Sequence, residues 1–91
     1  MHPVKDFYYA YTLQNSSWLF YTGPTSDLKK RITEHQSGAS QYTSKNGLCE
    51  LVYYEACLNK DDAFRRQKYL KSGMGKHYIK NRLNSFLGKD L

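Results

Sequence analysis

A chain of 91 residues is long enough for one modest core and too short for two, so residues 1–91 are expected to form a single domain. Fourteen Lys and Arg against eight Asp and Glu leave a net charge of +6, and the excess is confined: from Lys60 onward nine basic residues face three acidic ones, whereas the first 59 residues carry five of each. That asymmetry suits a polyanion, nucleic acid above all, although a solvated lysine-rich helix face gives the same count. Cys49 and Cys57 lack the close-set pairs of a zinc site and the density of a disulfide scaffold. With no signal-peptide core and no apolar run of about eighteen residues, the composition excludes a membrane span and points to a soluble cytoplasmic protein.

The first element is "FYYAYTL" (7–13), rich in aromatic and β-prone residues, and "SWLFYTG" (17–23) is a second such run. The turn-like "QNSS" between them predicts a β-hairpin. In "GPTSDLKKRITEH", Gly23 and Pro24 act as a stop, Thr25 or Ser26 as the N-cap with Asp27 in the first turn, and Leu28 and Ile32 form an apolar pair one turn apart. This predicts a helix of about three turns ending near Ser37 and Gly38. The polar, punctuated "ASQYTSKNG" (39–47) reads as a loop, and "LCELVYYEACL" (48–58) as a third strand.

A second helix starts near Lys60 and closes at Gly73, with Ala63, Phe64 and Leu70 as its apolar stripe. After the "SGMG" break, "KHYIKNRLNSFL" (76–87) predicts a final helix with Ile79, Leu83 and Phe86 on one side. The order ββαβαα gives an α+β domain, a three-stranded antiparallel sheet flanked by helices.

Two polar anomalies interrupt this pattern. The helical period places Gln67 on the inward stripe of the second helix, where an unpartnered amide costs about 1–3 kcal/mol. On the first helix, Arg31 and His35 stand one turn apart beside Leu28 and Ile32. An arginine stem covering the core edge and a histidine favoured by the helix C-terminus account for this pair equally well.

The hairpin adds a second meaning. Tyr9 and Tyr11 share a strand face, and Tyr21 ends the partner strand just before Gly23 and the helix bearing Arg31. Phenols, a guanidinium and an imidazole on one concave surface can serve phosphodiester hydrolysis, moving a proton from water and stabilising charge on phosphoryl oxygens.

"YAY" (9–11), "YTG" (21–23), "DLKKRITEH" and "AFRRQKYLKSGMGKHYIKNRL" occur in the order and spacing of the GIY-YIG nuclease superfamily, and the chain resembles its small single-domain bacterial members over residues 7–87. The resemblance implies a DNA endonuclease-like, metal-dependent hydrolase with catalytic residues at Tyr11, Tyr21, Arg31 and His35, and roles in repair, recombination or mobile elements. It places the metal-binding glutamate of the family at Gln67, whose neutral amide is a weaker ligand for Mg²⁺ or Mn²⁺ than a carboxylate. Catalysis is therefore expected to be weakened or lost, by natural change or by an engineered Glu→Gln substitution; the third alternative is a substitute carboxylate from Glu55 on the third strand, ahead of Asp61 or Asp62. Lys29, Lys30, Arg65, Arg66, Lys68, Lys71 and Lys76 are expected around the site, neutralising phosphates without reading sequence. The alternative is a non-catalytic module that binds DNA, RNA or a protein partner.

Overall fold

The computed structural model describes residues 7–15, 17, 19–37 and 49–88. Strand β1 (Tyr8–Asn15) is the centre of the sheet, with β2 (Phe20–Thr25) on one side and β3 (Cys49–Cys57) on the other, both antiparallel to it. Helix α1 is Leu28–Gln36, α2 is Lys60–Lys71 and α3 is Gly73–Arg82. This is the expected ββαβαα order. The loop expected over 39–47 lies outside the described residues.

Local chemistry sets the boundaries. The Asn15 carboxamide accepts from the backbone N–H of Ser17 and Leu19, at 2.9 and 3.0 Å, which folds the chain from β1 back into β2. Pro24 is tolerated because β2 is an edge strand. The α1 cap is Asp27, whose side chain accepts from the Lys30 N–H, and the Thr25 hydroxyl instead accepts from the Asp27 N–H two residues on. The expected cap at Thr25 or Ser26 is thus displaced, because a carboxylate at Asp27 can satisfy an orphan N–H of the first turn directly. Asn59 caps α2 through the N–H groups of Asp61 and Asp62.

A single residue, Ser72, ends α2 and begins α3: its hydroxyl donates to the Tyr69 carbonyl and accepts from the Gly75 N–H. The final helix therefore starts at Gly73, earlier than the expected 76, and ends at Arg82. Gly75 is required by close approach, since a Cβ there would lie 2.0 Å from the Tyr69 carbonyl oxygen. Two apolar expectations fail. Phe64 is 44% and Phe86 is 57% exposed, Phe64 lying on the outer side of α2 and Phe86 beyond the end of α3.

Alternation along β1 divides the core in two. Tyr11, Leu13 and Cys49 pack with Tyr21, Leu28, Ile32 and Leu51, so α1 covers one face of the sheet. Ala10, Leu70 and Ile79 pack with Phe20, Tyr53, Tyr78 and Leu83, so α2 and α3 cover the other. Between these layers the small pair Thr12 and Thr22, hydrogen-bonded through their hydroxyls at 2.8 Å, is buried on the α2 side of the β1–β2 ladder.

Candidate functional site

Four of the predicted site residues meet on the α1 face. Tyr11 sits opposite Gly23 in the β1–β2 register, and the missing side chain makes room for the phenol: a Cβ on Gly23 would stand 3.0 Å from the Tyr11 hydroxyl. Helix α1, started by Asp27, then presents Arg31 and His35 to that hydroxyl one turn apart. Arg31 Nε donates to the Tyr11 oxygen at 3.1 Å, and His35 Nε2 lies 3.1 Å from the same oxygen. The Tyr21 ring completes the group, 6.3 Å from the Tyr11 ring and 5.6 Å from the imidazole between centroids.

Within the group, burial separates two kinds of residue. Tyr11 and His35 are fully buried, whereas Tyr21 is half-buried and the Arg31 side chain keeps 34% of its surface. Only Tyr21 and Arg31 can reach a bound molecule. Burial pushes the Tyr11 phenol above its usual range, and the opposing pull of the Arg31 charge does not reverse it. Burial, then the neighbouring Arg31 charge, lowers His35. A neutral imidazole that accepts at Nε2 fits a phenol that accepts from Arg31 and donates onward. Tyr11 is in this arrangement a proton donor, and a poor base at neutral pH.

Glu34 was absent from the expected site. It accepts from Arg31 Nη1 at 3.1 Å, and the signal was present in the sequence as an i, i+3 pair of opposite charge on the helix that carries Arg31. It fixes the guanidinium from the side opposite to Tyr11.

Gln67 is inward, as its spacing predicts, and only 5% exposed. It belongs to α2, in the layer across the sheet from Tyr11, Arg31 and His35. Its Oε1 is buried and has no hydrogen-bond partner among the described residues. The three proposed substitute carboxylates are engaged or remote. Glu55 takes two hydrogen bonds from Arg66, both 2.7 Å, and a third from the Tyr53 hydroxyl at 2.8 Å; Arg66 foremost holds it below the usual carboxylate range. Asp62 pairs with Arg65, and Asp61 lies exposed in the first turn of α2. Among the described residues no group of three or more His, Cys, Asp or Glu could hold a metal ion. A hard divalent cation does not fit these donors: the Gln67 oxygen is neutral and buried, Glu55 and Asp62 are held by arginines, and Asp61 stands exposed at the start of α2 with no group of ligands around it.

The basic residues expected around the site are split as well. Lys29 and Lys30 are exposed on α1, the helix that carries Arg31, while Arg65, Lys68 and Lys71 on α2 and Lys76 on α3 belong to the opposite layer. Arg66 is withdrawn from the set by Glu55. Their separation follows from the alternation of β1, which sends α1 and α2 to different faces of one sheet.

No helix among the described residues is long and apolar enough to cross a membrane. Comparison with known proteins gives the lineage of this arrangement. The chain is 41% identical over 64 residues to a UPF0213 protein of Clostridium perfringens, covering 69% of each. It is 32% identical over 89 residues to the UPF0213 protein YazA of Bacillus subtilis, covering 93% of this chain and 88% of the relative. The solution NMR structure of a UPF0213 protein from Bacillus halodurans superposes with a TM-score of 0.51 at 33% identity, over 80% of this chain and 81% of that one. Residues 7–85 match the family model described as the GIY-YIG catalytic domain. The sheet order, the flanking helices and this match together place the chain in the GIY-YIG family, in which the domain has a nuclease-like function on nucleic acid and is generally metal-dependent.

Proposed function

We propose that this chain binds DNA through the Tyr21–Arg31 surface and that its phosphodiester hydrolysis is weakened or lost through Gln67. The observation that carries the reading is the Gln67 amide oxygen, buried and without a partner at the place of the family glutamate. A carboxylate there would be a charge seeking a cation; the amide offers only a dipole.

The remaining residues support recognition of a phosphodiester. Arg31 brings a fixed positive charge to a half-open surface, held in place by Tyr11 on one side and Glu34 on the other. Tyr21 stands beside it, with its hydroxyl in reach of a phosphoryl oxygen or an attacking water. Tyr11 and His35 act from behind as positioning residues: the phenol holds Arg31, and the neutral imidazole takes the proton that the phenol donates. Lys29 and Lys30 extend the positive surface along α1 and contact phosphates without reading bases.

Cleavage of a panel of duplex, nicked and branched DNA in Mg²⁺ or Mn²⁺ tests the reading, with the chain and its Gln67→Glu variant at equal concentration. Cutting by the variant alone is the expected result and makes Gln67 the switch. Cutting by the unaltered chain overturns the assignment of Gln67. If neither cuts while both bind with an affinity that falls steeply as salt rises, the domain is a binding module without hydrolysis.

A further inference from the structure

We propose that the α2–α3 face carries a second nucleic-acid contact, a stacking site for one unpaired base of a single-stranded segment, across the sheet from the Tyr21–Arg31 surface. The proposal rests on the reading of the chain as a nucleic-acid-binding domain and adds the kind of strand it holds.

The site is an open groove of about 420 Å³ lined by Tyr69, Met74, His77, Tyr78 and Asn81, with Gly73 at its end. The Ser72 junction builds it: the last turn of α2 and the first two turns of α3 are bound together through one hydroxyl, which sets Tyr69 beside Tyr78 with ring centroids 6.4 Å apart at 68°. Three interactions fix these rings. The Arg66 guanidinium lies 5.0 Å from the Tyr69 centroid and 5.5 Å from that of Tyr78. Glu55 holds Arg66 with two hydrogen bonds, and the Tyr53 hydroxyl touches both the Glu55 carboxylate and, at 3.4 Å, the Tyr78 hydroxyl. Arg82 lies over Tyr78 at 5.5 Å.

This network orders aromatic surface that faces water, since Tyr69 is 36% exposed, and Met74 beside it, 75% exposed, adds apolar surface to the groove. A ring held in place and partly exposed is a stacking platform that loses little freedom on binding. The charge of the surroundings selects the occupant. From Lys68 to Gly88 the chain has five basic residues and no acidic one, and the two acids of α2, Asp61 and Asp62, stand in its first turn, at the far end from the groove. Glu55, whose carboxylate meets the Tyr53 hydroxyl below the rings, is neutralised by Arg66.

Cations around exposed aromatic rings match a phosphate backbone whose bases are free to stack. A paired base has both faces covered by its neighbours and gains nothing from the groove, so the site distinguishes an unpaired strand from a duplex. His77 and Asn81 can hydrogen-bond the edge of whichever base enters, which makes strong sequence preference unexpected.

Fluorescence anisotropy on the full chain tests this, with labelled oligothymidylate and a blunt duplex of equal length as probes. Measurements belong at about 0.15 M salt, where the Debye length of about 8 Å confines a surface charge change to its own layer. Tyr69→Ala and Met74→Glu are each expected to weaken single-strand binding by roughly tenfold, with Tyr69→Phe close to the parent and the blunt duplex unaffected. Met74→Glu decides if Tyr69→Ala fails to fold, because Met74 is mostly exposed and an acid in a first helical turn is tolerated. Unchanged single-strand affinity in Met74→Glu, with the duplex still bound, overturns the stacking site and leaves the DNA-binding reading intact; a protein segment then becomes the groove's occupant. Equal loss on both probes makes the face a plain phosphate contact and also overturns it. If the parent binds neither probe even at low salt, the DNA-binding reading falls with it.

Discussion

On the α1 face of the sheet, charged and polar groups converge on one buried phenol; on the α2–α3 face they converge on one carboxylate, and a single amide beside them is left out. Tyr11 accepts from Arg31 and meets His35, with Glu34 closing the other side of the guanidinium. Glu55 accepts from Arg66 and Tyr53, with Tyr69 and Tyr78 packed on the guanidinium. Both clusters set an arginine among tyrosines, but Arg31 donates to a phenol oxygen and is paired with Glu34 through one nitrogen, whereas Arg66 lies over two rings and is held by a bidentate carboxylate. Gln67 shows the difference most sharply. On the α2–α3 face Thr12 and Thr22 satisfy each other through their hydroxyls, while the buried Gln67 oxygen has no partner among the described residues.

The largest expected effect separates the two faces by the rigidity of what a glycine touches. A methyl at Gly75 would meet the Tyr69 carbonyl at 2.0 Å and the Leu70 Cα at 2.4 Å, both backbone atoms at the α2–α3 junction. Gly75→Ala should cost about 3 kcal/mol or more, or prevent folding. At Gly23 the contact is the Tyr11 hydroxyl at 3.0 Å, the end of a side chain that can shift by a few tenths of an ångström. Gly23→Ala should cost about 1 kcal/mol and displace the phenol from Arg31. Urea denaturation of the two variants checks the ranking, and equal losses would mean that the phenol is held as rigidly as the backbone.

The second prediction concerns acid. Arg66 lowers the folded-state titration of Glu55 below its ordinary value, so the unfolded chain binds the proton more readily. The pair's contribution is therefore present above the unfolded carboxylate value of about 4.3 and lost as pH falls through the lower folded one. Glu55→Gln should remove about 1–2 kcal/mol at neutral pH, a figure kept small because the Arg66 side chain is 37% exposed. The variant should also flatten the acid limb of the stability profile, measured by denaturant midpoints between about pH 5 and 3. A parallel acid limb in parent and variant would remove the pair from the stability of this face.

These contrasts also explain what the sequence made legible. Element order followed from turn residues and alternation, and the convergence of Tyr11, Arg31 and His35 followed from two simple periods, two on β1 and about 3.6 on α1. What escaped was set by the third dimension. Which face of the sheet a helix covers is not encoded in any local period, so the basic residues of α1 and α2 looked like one patch and are two. Phe64 has the apolar character of a stripe residue and lies outside it, because Ala63, Gln67 and Leu70 already fill the inward arc of α2. Glu55 read as a free strand carboxylate because its partner Arg66 is eleven residues away on another element.

A smaller effect tests the α1 face alone. Burial and the Arg31 charge lower His35, so the folded state resists its protonation. Stability should then be full above the unfolded imidazole value of about 6.5 and decline as pH falls below it toward the folded value. His35→Gln keeps an acceptor for the Tyr11 hydroxyl and should be insensitive to pH across about 5 to 7.5, apart from contributions shared with the parent. Denaturant midpoints of both proteins over that range decide it. A slope unchanged by the substitution would place the proton-linked group elsewhere and leave the imidazole without the neutral, accepting role assigned to it.

The smallest expected change has the opposite sign. Gln67 is buried, uncharged and without a partner for Oε1, so replacing it with a methionine of similar length removes an unsatisfied acceptor and keeps the packing between Ala63 and Leu70. Gln67→Met should leave stability unchanged or raise it by up to about 1 kcal/mol, where an inward polar group with a structural role would lose about as much or more. Gln67→Glu should do the reverse. A carboxyl held in that place without a counter-charge titrates above its usual range, which lowers stability progressively as pH rises past about 4.3. Melts of both variants at pH 5 and pH 8 separate the two accounts of the amide. If methionine stabilises and glutamate destabilises only at the higher pH, packing alone does not select the polar residue, and its presence is to be explained by the chemistry of the position. A clear loss with methionine would instead make the amide part of the fold's own hydrogen bonding and weaken the case that it stands in for a ligand.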